Sequence, residues 1–199
     1  MTLKRSYCNI CTYPLSVCIC DAIVTIHCPI KIMVLQHPLE SKHAKNSARL
    51  LPLCLDNVEL YLGESAGDFL QIAIACHLAP QEFAVFYPSE YSTALEPHLS
   101  QFKQNMPSTL IFIDATWRKA LKIWKLNPWL HSLNCWHFAT PPSSRYQIRK
   151  ASVDNSLSTL EAVAYALQQS QGIDCQPLHD IFSAMQGRVF WGNVQIKNT

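Results

Sequence analysis

The chain has 199 residues, 49% hydrophobic and 15% charged, enough to bury the core of one main domain with at most a small appendage. No run of about 18 uninterrupted apolar residues occurs, which excludes a helical membrane span, and residues 1–8 lack the apolar segment of a secretory signal. Net charge is only +2, yet residues 110–150 carry seven cations against Asp114 alone, while the remainder is net acidic. That asymmetry predicts one basic face suited to a polyanion, with a merely solvated helix face as the competing reading.

Residues 1–28 stand apart, with five cysteines, little helical periodicity, and Pro14 and then Pro29 as punctuation. From residue 30 onward, strands and helices alternate. KIMVLQ (31–36) reads as a buried strand ended by His37-Pro38, because the residue before proline is pushed to extended geometry. Residues 46–54 read as a short helix broken by Pro52, and VELYLG (58–63) as a second strand. Residues 67–78 predict a helix closed by Pro80, EFAVFYP (82–88) a third strand, and 92–104 a helix despite Pro97. The run 109–114 is a fourth strand that ends on Asp114, and helix 116–126 follows at once, stopped by Asn127-Pro128.

On that helix Trp117, Ala120, Leu121 and Trp124 share one face, while Arg118, Lys119, Lys122 and Lys125 share another. NCWHFA (134–139) reads as a further strand. LSTLEAVAYALQQ (157–169) is the clearest helix, opened by the capping-box pair Ser158 and Glu161, and a last helix over 177–186 precedes Phe190 and Trp191. The alternation predicts an α/β fold with a largely parallel sheet. Neither a dinucleotide-binding glycine fingerprint nor a P-loop is present.

Three groups of residues can carry chemistry. Cys8, Cys11, Cys18 and Cys20 lie close enough to complete a tetrahedral Zn²⁺ site, which would staple a short loop and leave no open coordination position. Nine cysteines without a secretory signal point to thiols or metal ligands in a reducing, cytoplasmic compartment; Cys28, Cys54, Cys76, Cys135 and Cys175 show no ligand spacing and read as small buried hydrophobes. Asp114 ends a strand where open α/β sheets place ligands, although capping of the next helix is an equally good local reason for an aspartate. The stretch TPPSSRYQIRKAS (140–152) offers Arg145 and Arg149 as forks for carboxylate or phosphate, and Tyr146 as a stacking ring. The free amides at the start of helix 157–169 form a natural anion site.

Taken together, the cysteine segment, QHPLE (36–40), NSARLL (46–51), FYPSE (86–90), DATW (114–117), SSRYQIRK (143–150) and LSTLEA (157–162) resemble the DTW-domain family, the tRNA-uridine aminocarboxypropyltransferases. The resemblance covers nearly the whole chain. It implies a Cys-rich zinc-binding segment (1–28) followed by a SPOUT-like domain (29–199) with a C-terminal trefoil knot that holds S-adenosylmethionine (SAM). It also implies transfer of the 3-amino-3-carboxypropyl group of SAM to N3 of a uridine in tRNA, releasing methylthioadenosine.

On that reading Asp114 is the catalytic group, removing or orienting the N3 proton. Gln36, His37, Ile113, Thr116, Trp117, Ala120, Ser158 and Thr159 are expected around SAM, with Trp117 and Ala120 against its sulfonium methyl. Arg118, Lys119, Lys122, Lys125, Arg145, Tyr146 and Arg149 are expected against the tRNA. Two other functions fit the same features: a SPOUT-type RNA methyltransferase and a non-catalytic zinc-containing RNA-binding protein.

Overall fold

A computed structural model describes residues 6–148 and 156–191. Its centre is a six-stranded sheet whose paired strands all run parallel: β1 (Lys31–Gln36), β2 (Val58–Leu62), β3 (Phe83–Phe86), β4 (Thr93–Ala94), β5 (Thr109–Asp114) and β6 (Asn134–His137), in the order β2-β1-β5-β3-β6-β4. The expected α/β class with a parallel sheet is what forms. Strands β1, β5 and β3 occupy interior positions and read as unbroken apolar runs because both faces of the sheet are covered.

The period-2 alternation of a strand divides those runs between two cores. Ile32, Val34, Leu110, Phe112, Ala84 and Phe86 face one layer, and Met33, Leu35, Ile111, Val85 and Phe83 face the other. The first layer contains helices α6 (Thr159–Gln171) and α7 (Gln176–Ala184), supplying Leu160, Val163, Leu167, Leu178, Ile181 and Phe182. The N-terminal segment joins this layer through buried Cys11, Tyr13, Ile19 and Ile26. The second layer contains α3 (Leu70–Leu78) and α5 (Trp117–Leu126). Two short helical turns, α1 (Pro38–Ser41) and α2 (Leu51–Cys54), follow β1, and α4 (Leu99–Gln104) precedes β5.

Register matters most between β1 and β5, where Gln36 lies beside Asp114 at the carboxyl ends of both strands. The chain leaves β1 for the β2 edge, crosses to β3, and returns to insert β5 between β1 and β3. The reversal of direction between neighbouring connections opens a crevice at those carboxyl ends.

Five expectations are corrected. Residues 92–104 do not form one helix: Thr93–Ala94 adds an edge strand to β6, Pro97 lies in a separate 3₁₀ turn (Glu96–His98), and only Leu99–Gln104 is α-helical. The second strand, read over 58–63, ends at Leu62, and α3 begins at Leu70 rather than 67. The buried stripe of α5 is Ala120, Ile123 and Trp124, with Trp117 and Leu121 at 41% and 43% exposure. The first turn of α5 stands over the crevice rather than over the sheet, so its Trp117 has no core to enter. Finally, the last helix continues past Ala184 as a π-helical stretch (Met185–Trp191) that takes in Phe190 and Trp191.

Candidate active site

Asp114 lies at the crevice with its side chain buried, at 6% exposure. Its Oδ2 accepts hydrogen bonds from Gln36 Nε2 at 2.8 Å and Asn46 Nδ2 at 2.6 Å, and its Oδ1 accepts one from the Thr159 hydroxyl at 2.6 Å. The backbone carbonyl of Asp114 accepts from the amide of His37 at 3.0 Å. Three side-chain donors from three separate segments therefore hold one carboxylate. Asp114 does not cap α5, because the N-cap position belongs to Thr116. A carboxylate has about four acceptor positions, so the three donors leave one, on Oδ1.

That carboxylate borders a cavity of about 600 Å³, within the size range of pockets for small molecules and cofactors. Aromatic rings dominate its walls: Phe86 at the end of β3 and Tyr87 after it, Phe112 on β5, Trp117 on α5, Trp136 on β6 and Phe138 just beyond it. Phe86 stacks on Phe112 with ring centres 5.1 Å apart, and Phe138 packs beside Phe86 at 5.3 Å, so the aromatic wall is rigid.

The remaining wall is irregular backbone, fixed by two buried polar side chains. Glu161, at 4% exposure, accepts from the Ser158 amide at 2.9 Å, closing the capping box of α6. The same carboxylate accepts from the Ser144 hydroxyl at 2.8 Å and the Arg145 amide at 2.5 Å. Gln186, also buried, accepts from the Gln147 amide at 2.7 Å and donates to the Arg145 carbonyl at 3.0 Å. Tyr146 is held between these clasps, donating its hydroxyl to the Lys45 carbonyl and packing on Phe182 with ring centres 5.0 Å apart. Its ring lines the cavity but is committed to the core on one side.

Of the residues expected around a small-molecule ligand, Ile113, Thr116, Trp117, Ala120, Ser158 and Thr159 line the cavity, as does Asp114. Gln36 stands directly behind, bonded to Asp114. The Thr159 hydroxyl donates to Asp114, whereas the Ser158 hydroxyl oxygen accepts from the Glu161 amide and keeps its own O–H to donate. His37 turns away: Nδ1 accepts from the Leu39 amide at 3.1 Å, which leaves Nε2–H to donate to Glu64 at 2.8 Å.

The basic side of α5 is only partly free. Lys119 pairs with the buried Glu40 at 2.9 Å and Lys122 with Glu64 at 2.6 Å. The Lys122 ammonium and then His37 hold the Glu64 carboxyl below the usual carboxylate range. Arg118 and Lys125 are exposed and make no ion pair among the described residues. Arg145 is exposed beside the cavity loop, and Arg149 lies outside the described residues.

The four N-terminal cysteines converge as their spacing predicts. Their sulfurs all lie within 4.8 Å of one another, with Cys8 and Cys20 at 3.4 Å and Cys11 and Cys18 at 3.7 Å. All four are free thiols. Backbone amides of Cys11 and Ile10 aimed at Cys8 bring its thiol down to about 6, whereas loss of solvent pushes Cys20 up to about 12. The cluster has the donor set and spacing to hold a metal ion.

Comparison with known proteins places this geometry. The family model for the DTW domain matches residues 5–190. The chain belongs to the DTW family. Its sequence is 27% identical over 176 residues to the tRNA-uridine aminocarboxypropyltransferase 2 of Mus musculus, covering 86% of this chain and 59% of that protein. The protein of the same name from Drosophila melanogaster is 33% identical over 174 residues, covering 82% and 66% respectively. The chain thus spans roughly three fifths of the length of these curated relatives. No solved structure matches it.

Asn46, Ser47, the segment Phe86-Tyr87-Pro88, and Trp136 with Phe138 all line the cavity of this DTW domain; the first five fall in the family segments NSARLL and FYPSE, but sequence reading assigned none of the seven a role at the site. The signal available for several of them was position, since these segments follow or end parallel strands and the crevice sits at those ends. Gln186 carried no local signal. The clasp gives a direct test. Glu161→Ala leaves at least two buried or half-buried donors unmet, at about 1–3 kcal/mol each. We expect a loss of about 3 kcal/mol and a melting temperature lower by about 9 °C for a chain of this size. Limited proteolysis should then cut first between residues 140 and 158, and an unchanged cleavage pattern would remove Glu161 from this role.

Proposed function

We propose that the chain transfers the 3-amino-3-carboxypropyl group of SAM to N3 of a uridine in tRNA, forming acp3U and releasing methylthioadenosine. The observation that carries this reading is the buried Asp114 carboxylate at the mouth of an aromatic cavity, within a DTW domain whose relatives are named for that activity. As donor, SAM supplies a sulfonium, whose neutral thioether is a good leaving group. The nitrogen–carbon bond forms as the sulfur–carbon bond breaks, and the N3 proton passes to water. Acceleration therefore depends on placement and on handling that proton.

The cavity suits such a donor. Aromatic faces attract a sulfonium and stack with a purine, and Trp117 with Ala120 forms an apolar wall for its methyl group. The amides at the start of the 13-residue α6 favour the donor's carboxylate. Asp114 has one acceptor position left, which fits an N3–H donor. Each hydrogen bond already held by the carboxylate is one that an incoming proton would have to disturb, so orientation of N3–H is its main task.

Within the same reading, Cys8, Cys11, Cys18 and Cys20 hold a structural Zn²⁺. Tetrahedral coordination at about 2.3 Å sets sulfurs about 3.8 Å apart, close to the observed spacings. Residues 1–28 are then a zinc segment attached to a SPOUT-like catalytic domain over 29–199, with the C-terminal trefoil knot that the family resemblance implies. The protein works in the cytoplasm, where its nine thiols stay reduced. Arg118 and Lys125, with Arg145 and Arg149, meet tRNA phosphates, and Lys119 and Lys122 do so to the extent that their carboxylate partners allow.

Mass spectrometry of nucleosides from tRNA incubated with the protein and SAM tests the reaction. Methylthioadenosine and acp3U are expected, whereas S-adenosylhomocysteine with a methylated base would make it a methyltransferase instead. Asp114→Asn should lower turnover about 100-fold or more, because an amide N–H would then face N3–H and misplace it, while SAM binding persists. Folding should survive, since the Thr159 hydroxyl can turn to accept from an amide nitrogen. Turnover within threefold of the parent would leave Asp114 a structural acceptor.

Two further outcomes are expected. Removing both Arg118 and Lys125 should reduce the log–log salt dependence of tRNA binding by at most about two units, with SAM affinity unchanged. An unaltered slope would return them to solvent. Elemental analysis should find one zinc per chain, and a value well below that would argue against the site.

A further inference from the structure

Asn46 is the one partner of Asp114 that neither ends a strand nor begins a long helix. It sits in the turn after α1, at 5% exposure, and lines the cavity. Its side-chain oxygen accepts from the Arg49 amide at 3.0 Å and from Gln36 Nε2 at 3.3 Å. With the oxygen held by two donors, the amide has one orientation, and its nitrogen must face Asp114 Oδ2 at 2.6 Å. Gln36 shares itself between Asn46 and Asp114, while Asn46 gives Asp114 its shortest contact from an amide nitrogen.

We infer that Asn46 is a positioning residue, fixing the carboxylate of Asp114 so that its remaining acceptor position faces the uridine N3–H. This inference rests on the proposed transferase reading and adds a residue to it. Two donors on Oδ2 and one on Oδ1 define both the plane and the tilt of the carboxylate. Without Asn46 the carboxylate would be held by Gln36 and Thr159 alone, one donor on each oxygen. A misplacement of about 1 Å at a reacting group can cost about 100-fold in rate.

The discriminating variant is Asn46→Asp, which keeps shape and keeps the oxygen that the Arg49 amide and Gln36 require. It sets a second carboxyl against Asp114 Oδ2. Two carboxyls so close cannot both ionise comfortably, and the pair holds one proton more tightly than either alone. With that proton shared, an O–H donor stands where the amide donated. Once it is lost, the two charges repel and Asp114 turns. The deficit should therefore be small at low pH and large at high pH, opposite to any simple loss of a base on acidification.

The experiment measures SAM turnover on tRNA for the parent, Asn46→Asp and Asn46→Ala from pH 5.5 to 8.5, with SAM affinity by calorimetry and melting temperature at each pH. Relative to the parent at the same pH, Asn46→Asp is expected to be about 100-fold slower at pH 8.5 and to recover at least about tenfold by pH 5.5. Asn46→Ala should be slow throughout with no recovery, and SAM affinity should change by less than about threefold in both. The melting temperature of Asn46→Asp should fall below the parent's as pH rises, because the proton shared in the folded state is lost.

A ratio to the parent that stays constant across pH, or an alanine variant at full speed, overturns the inference. Should the parent itself transfer nothing to tRNA, the transferase reading fails. The melting curves then decide separately whether Asn46 holds Asp114: a pH-independent gap denies the contact.

Discussion

A carboxylate removed from water costs several kcal/mol unless its oxygens are met, and that cost organises this molecule around Asp114. The partners that meet it are two amides and a hydroxyl. Gln36 comes from the end of β1, Asn46 from the turn after α1, and Thr159 from the start of α6, so segments as far as 78 residues from Asp114 in the sequence must arrive at it together. The parallel register that sets Gln36 beside Asp114 is the first condition. Among the described residues no cation pairs with this charge. A buried carboxylate satisfied by three neutral donors keeps one acceptor position for a ligand, and a group with an N–H to donate is the kind that position selects.

The wall facing Asp114 depends on the same principle in its backbone form. Residues 144–148 form no helix or strand, so their amides have no ladder to join. Arg145 is met by Glu161, Tyr146 by the Ser144 hydroxyl, and Gln147 by Gln186. Glu161 meets the Ser158 amide as well, so one side chain ties the loop to the helix whose first turn borders the cavity. The cavity keeps its shape because polar groups buried beside it have been given partners, and the aromatic faces are left free of that duty.

How far this was legible depends on the signal each element carries. Strands β1 and β5 were readable to the residue because each is a run of four apolar residues flanked by polar ones, the last of which stands at the crevice. The capping box at Ser158 and Glu161 was readable because it is a local pattern, but its second use by Ser144 and Arg145 was not, since those partners lie 17 and 16 residues away. Strand β4 has two residues and therefore no period. Period itself contained one unused clue. Neighbours along an extended segment point to opposite sides, so Gln36 and His37 could not both reach the same ligand; the structure gives Gln36 to Asp114 and His37 to Glu64. Asn46 was read as the start of a broken helix, with nothing local to betray a partner 68 residues on.

The cysteine cluster and the carboxylate are also closer in the network than in the sequence. Arg49 donates from its guanidinium to the Thr12 hydroxyl and lies over the Tyr13 ring, 4.5 Å from its centre, while its backbone amide holds Asn46. Thr12 in turn bonds the carbonyl of Cys11 at 2.7 Å. Contacts in series do not make a switch unless some element between them has two arrangements. Here the intervening turn packs Ala48 and Leu50 with no exposure at all, and Tyr13 and Cys11 belong to the same core. Any second arrangement of so enclosed a turn would expose those side chains. The cysteine loop is therefore a buttress, and its contribution to the site is to keep Arg49, and through it the Asn46 oxygen, where the carboxylate needs them.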